Sequence, residues 1–201
     1  MGLEWAAVTT DPAQAPTPTR ARSQHQRRKR IVQAAAALAS RGGVEAMQMR
    51  TVAERAGVAL GTLYRYFPSK MDLVVAVVSE EMDLLEGSME RRPPGSSTPA
   101  SRAVELLMRA TRGLLREPEL ADALIRSLLL SDVKTNFGSR MTGMLLRVAS
   151  EGEATDEQRT LVGALNSVWV MEMIEILRGH ATPEETHVRL EVTAERLLAG
   201  F

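Results

Sequence analysis

The stretch from Met49 to Lys70, MRTVAERAGVALGTLYRYFPSK, constrains the fold more than any other part of the chain. Gly57 breaks one short helical pattern. Pro68 stops a second, because its ring removes a backbone donor and clashes backwards. Helices are predicted over 50–56 and 60–66. Val52, Ala53 and Ala56 form the buried stripe of the first, and Val58 and Leu63 plug the turn between them. Upstream, Ile31, Ala34, Ala35 and Leu38 share one face of a helix predicted over 24–41, with Ser23 as its cap and Gly42-Gly43 as its end. Three short helices with a glycine turn before the third outline a helix-turn-helix. In that motif the third helix enters the major groove of DNA.

The side chains left on the open side suit that role. Leu60, Gly61, Thr62, Tyr64 and Arg65 lie on or near the outer face of the third helix, and Tyr66 follows. Arg65 has the geometry for a bidentate guanine contact, Thr62 for a base methyl or a phosphate, and the tyrosine hydroxyls for phosphates or bases. Gly61 lets the backbone approach closely. Thr51, at the start of the second helix, and Lys70, in the first turn of a fourth, stand at phosphate positions. Arg27, Arg28, Lys29 and Arg30 add cations at the first helix. The charge distribution agrees: residues 1–70 hold 11 Lys+Arg against 4 Asp+Glu, whereas 71–201 hold 14 against 21. Only the front of the chain is built to meet a polyanion.

Ala53, Ala56, Gly57, Val58, Gly61, Tyr64, Tyr66, Phe67, Ser69 and Lys70 resemble, at matching spacing, the signature of the TetR family of repressors. The resemblance implies an all-α fold of nine helices: three that bind DNA and six that form a ligand-binding and dimerisation body. The expected division is a disordered tail over 1–22, rich in Pro and Thr, a DNA-binding domain over 23–68 and the body over 69–201. Composition fits a helical chain, since Ala, Leu, Arg, Glu and Met dominate and aromatics make up only 3%.

Further helices are predicted from Ser69 to about 89, then over 100–116, 118–130, 137–151, 155–178 and 183–199. Arg92 to Pro99 is a linker, and Thr155 with Gln158 and Thr182 with Pro183 and Glu185 mark helix starts. The body is rich in Leu and Met, and Met adapts to varied ligands. Met108, Leu128, Leu129, Met141, Leu145, Trp169 and Met173 are the candidate ligand-binding residues. Leu190, Ala194, Leu197 and Phe201 form an apolar ridge that either closes its own domain or, as the resemblance favours, meets a second copy in a four-helix interface. Residues 42–70 and 157–200 further resemble the subgroup of repressors of sterol and cholesterol catabolism. That implies a steroid or fatty acyl-CoA thioester, or another small hydrophobic effector.

The expected partners are therefore double-stranded operator DNA, the effector and a second copy of the chain. The alternative with the same fold is a transcriptional activator or a ligand-binding scaffold. An enzyme is disfavoured. His25, His180 and His187 lack ligand spacing, Gly57 to Gly61 lacks the Gly-Lys-Ser/Thr of a phosphate loop, and Glu80 and Glu81 point to different helix sides. The absence of cysteine removes thiolate metal sites and suits a reducing cytoplasm. No cofactor or metal is expected. Nor is a membrane, since no apolar run approaches the roughly 18 residues of a span.

Overall fold

The computed structural model describes residues 18–122, 125 and 137–201, and every regular element among them is helical. The elements are α1 (Pro18–Ala46), α2 (Met49–Ala56), α3 (Leu60–Tyr66), α4 (Lys70–Arg91), α5 (Pro99–Leu114), α6 (Phe137–Ala149), α7 (Asp156–Leu177) and α8 (Pro183–Leu197). Residues 118–122 are also helical, at the start of the helix expected over 118–130.

Local chemistry explains most boundaries. Ser69 caps α4, with its side chain accepting from Asp72 N while the Asp72 carboxylate accepts from Ser69 N at 2.9 Å. Thr155 with Gln158 and Thr182 with Glu185 make the same reciprocal box at α7 and α8. Gly57 closes α2 at φ 65°, ψ 42°, the left-handed conformation expected of the turn. Residues 18–22 depart from the expected tail: α1 begins at Pro18, six residues before Gln24. Proline is a favoured first helical residue because its missing N–H would have no intrahelical partner there anyway. Residues 1–17 lie outside the described residues. At the other end α1 is broken at Gly42-Gly43, where Gly43 has φ 63°, and one helical turn follows.

Two cores organise the molecule. The N-terminal core gathers Ile31 and Ala35 from α1, Val52 and Ala53 from α2, Leu63 from α3, and Leu73, Val74, Val77 and Val78 from α4. The unit that positions α3 therefore reaches past the boundary expected at residue 68. The second core is made by the far half of α4 with α5, α6, α7 and α8 around Leu106, Leu107, Met144 and Leu165. α4 belongs to both. So does Phe137, at the start of α6, which packs against each core.

By length and composition α7 is apolar enough to cross a bilayer, with a mean hydropathy of 1.4 over its most apolar stretch, although polar residues interrupt its apolar runs. Its stripe of Val162, Leu165, Trp169 and Met173 is buried in the second core.

Candidate functional site

α3 presents one face outward. Only Leu63 is buried, held in the N-terminal core. Leu60, Gly61, Tyr64 and Arg65 are all exposed, Leu60 to 39% and Tyr64 to 46%. Their i, i+1, i+4, i+5 spacing makes a single helix face. A Cβ on Gly61 would meet nothing within 4 Å, so the fold does not require glycine there. Its lack of a side chain matters on the outside, where it lowers the helix surface. Thr62 and Tyr66 are half-buried at the flanks, and the Tyr66 ring lies 6.5 Å from that of Phe67.

The surrounding polar groups sit as follows. Thr51 is half-buried in the first turn of α2, whose cap residue Gln48 makes no side-chain cap bond. Lys29 and Arg30 are exposed on α1 beside a half-buried Arg27. The Arg28 guanidinium lies 5.3 Å from the centroid of the Phe67 ring, a cation–π contact that ties it to the edge of the domain's own core. Lys70 Nζ is 3.9 Å from Glu45 Oε2. That carboxylate is almost fully exposed, so the pairing is weak in water. The Asp72 carboxylate already holds one amide of the α4 N-terminus, which leaves Lys70 itself as the main anion-attracting group there.

A cavity of about 590 Å³ opens between α4, α5, α6 and α7. Of the candidate ligand-binding residues, Met141, Trp169 and Met173 line it. Met108 and Leu145 do not: both are buried in the second core. Leu128 and Leu129 lie outside the described residues. Several lining groups were not anticipated. Phe137 stacks on Trp169 with centroids 6.4 Å apart and planes 18° apart. Glu81 lines the cavity and is half-buried; burial, then the neighbouring Glu80 and Glu117 carboxylates, raises its carboxyl above the usual range. Asn166 lines it too, one turn before Trp169. The signal for Asn166 was its register with the apolar stripe of Val162, Leu165 and Trp169.

The polar rim divides into committed and open groups. Arg109 donates to Glu105 at 3.1 Å and to the carbonyls of Ser88 and Arg92. Arg112 and Arg116 are exposed at the same cavity and pair with no carboxylate among the described residues.

The apolar ridge of α8 is placed differently from the favoured expectation. Leu190 and Ala194 are fully buried in the second core, and Leu197 and Phe201 pack against it. The exposed apolar residues of the last two helices are instead Met171 of α7 at 56%, and Val188 and Val192 of α8 at 59% and 57%. His180 and His187 do have carboxylate neighbours, Glu175 at 3.2 Å and Glu191 at 3.4 Å, both on the surface. No group of three metal-ligating side chains occurs among the described residues.

Residues 31–77 match the family described as bacterial regulatory proteins, tetR family, and residues 96–197 match the tetracyclin repressor-like C-terminal domain. The chain is 37% identical over 183 residues to the HTH-type transcriptional repressor KstR of Mycolicibacterium smegmatis, covering 89% of each chain. It is 38% identical over 181 residues to the KstR of Rhodococcus jostii, covering 88% of this chain and 84% of that one. The crystal structure of a TetR transcriptional regulator from Rhodococcus sp. RHA1 superposes with a TM-score of 0.77 at 32% identity, over 90% of this chain and 99% of the other.

Proposed function

Because the chain belongs to the TetR family of bacterial regulatory proteins, and is a DNA-binding transcriptional repressor, we propose that it holds a partly palindromic operator as a homodimer. A small hydrophobic effector then releases it. The observation that carries this reading is the double membership of α4. One half of that helix packs against α1 in the core that also holds α3, and the other half walls the cavity. A ligand in the cavity therefore acts on an element that also sets the position of the recognition helix.

In this reading Leu60, Gly61, Thr62, Tyr64 and Arg65 face the bases. Thr51, Tyr66, Lys70 and the basic start of α1 hold the backbone. The dimer is formed by α7 and α8 through Met171, Val188 and Val192. Only 28% of the most apolar stretch of α7 is buried within the chain, which supports a partner on that side. Two-fold symmetry of the protein then requires two-fold symmetry of the operator.

The effector class follows from size and rim. A cavity of about 590 Å³ lies in the range that encloses most of a small ligand. Its apolar wall suits a steroid or acyl chain. Arg112 and Arg116 offer charge for a carboxylate or for the phosphates of a coenzyme A thioester whose bulk stays outside. A gel shift at fixed salt with steroid and fatty acyl-CoA thioesters and their free acids tests this. Release of DNA by at least one of them is expected. If none releases DNA and none raises the melting temperature, the proposed effector class is wrong.

A further inference from the structure

Three polar residues are buried among the described residues, and two of them are accounted for. Thr111 Oγ1 donates to Leu107 O at 2.9 Å and accepts from Trp169 Nε1 at 2.9 Å. Thr186 Oγ1 donates to Glu172 Oε2 at 3.1 Å. The third, Asn166, is only 8% exposed, and its Oδ1 has no hydrogen-bond partner among the described residues. Placing an amide oxygen in an apolar setting without a partner is unfavourable, and a leucine of similar volume would avoid that cost. The other unpartnered buried oxygen, Ser150 Oγ, follows α6 and does not line the cavity. Asn166 does line it, flanked on the same helix by Trp169 and Met173.

The neighbours cannot stand in for a ligand at this point. The Trp169 N–H is already taken by Thr111. Arg109 is turned to α4 and the linker. Asn166 therefore brings a carboxamide oxygen without a partner among the described residues to the largely apolar lining of the cavity, where a ligand hydroxyl could pair with it.

We propose that Asn166 is a specificity-determining residue of the cavity, and that its carboxamide oxygen accepts a hydrogen bond from a hydroxyl on the buried part of an otherwise apolar ligand. This rests on the reading of the cavity as the effector site and refines it from an apolar ligand to a hydroxylated one. A ligand that lacks the hydroxyl leaves the oxygen unpaired in a space it has emptied of water. The site then disfavours it by about tenfold, the order expected for one hydrogen bond in a dry pocket.

The test uses matched pairs on two scaffolds: lithocholic acid against its 3-deoxy counterpart cholanic acid, and 16-hydroxyhexadecanoate against hexadecanoate. Binding is read from Trp169 fluorescence in a Trp5→Phe background, which leaves Trp169 as the sole tryptophan. The full-length protein is expected to bind the hydroxylated member of at least one pair about tenfold more tightly. Asn166→Leu and Asn166→Ala should each bring the two members to within about twofold while retaining a cooperative melt. Equal binding within both pairs by the unsubstituted residue, or a preference that survives both substitutions, overturns the role of Asn166 and leaves the effector class standing. Failure of all four compounds to bind overturns that class, and the inference falls with it.

Discussion

Adjacent residues of α3 do opposite work. Leu63 is wholly buried and fixes the helix, whereas Tyr64 and Arg65 stand in the open. That division predicts distinct phenotypes. Tyr64→Ala and Arg65→Ala should each cost about 1–3 kcal/mol of operator preference with the fold intact, the usual value of a good base contact. Lys70→Ala should weaken binding to every duplex alike, because a phosphate contact carries no sequence information. Competition gel shifts with operator and scrambled DNA separate the two. Loss of preference in Lys70→Ala alone would reverse the assignment. In the cavity, burial and the nearby Glu80 and Glu117 hold the Glu81 carboxyl above the ordinary 4.5. A carboxyl raised by folding supports the fold below its unfolded value, and that support is lost as pH rises through the folded value. Glu81→Gln cannot ionise. It should therefore be more stable than the parent at pH 7, with the difference shrinking as pH falls to about 4.5. Thermal melts at the two pH values decide this.

Between helices, ion pairs clamp α6 on α4. Arg140 pairs with Asp83 at 2.6 Å and with Glu86, and Arg147 reaches Glu86 at 2.7 Å. Arg140 is mostly buried, and Arg147 mostly exposed. Arg140→Ala should therefore lower stability by about 1–2 kcal/mol, and Arg147→Ala by less than about 1. Denaturant unfolding of the two variants checks the order. The elements themselves were legible in the sequence because their ends are local chemistry. Ser69, Thr155 and Thr182 cap helices, Gly57 turns one, and Pro68 stops one. What covers a helix face was not legible. An i, i+4, i+7 ridge such as Leu190, Ala194 and Leu197 reveals an amphipathic helix, but the same pattern serves a domain's own core or a second copy. The structure puts Leu190 and Ala194 wholly in the core and leaves Val188 and Val192 outside. The cavity was half legible for the same reason. Trp169 and Met173 showed as a stripe, whereas Phe137, Glu81 and Asn166 come together only through packing of separate helices.

Across the whole molecule, two couplings must hold if the proposed switch operates. The first is between copies. Val188→Glu combined with Val192→Glu places charge on the exposed face without touching the buried one, and should yield a folded monomer in sedimentation; an intact dimer would move the interface elsewhere. The second coupling runs from cavity to operator. A ligand lowers operator affinity only if it binds the DNA-incompetent shape more tightly. The recognition helices of a dimer must enter major grooves roughly 34–36 Å apart, so a shift of a few ångströms suffices. Phe137 stands where such a shift would pass. It lines the cavity, stacks on Trp169 and packs against both cores. A ligand that presses on Trp169 displaces a ring that also touches the core under α3. A hundredfold loss of operator affinity corresponds to about 2.7 kcal/mol of coupling, and operator DNA must weaken the ligand by the same factor. Phe137→Ala should leave ligand binding measurable and operator binding without ligand near normal. The ratio of operator affinities with and without saturating ligand should fall below about tenfold, or about 1.4 kcal/mol. Measuring the ligand affinity with and without operator gives the same quantity independently. If both ratios stay at the parental value, the signal passes through α4 and its Arg140 clamp without Phe137.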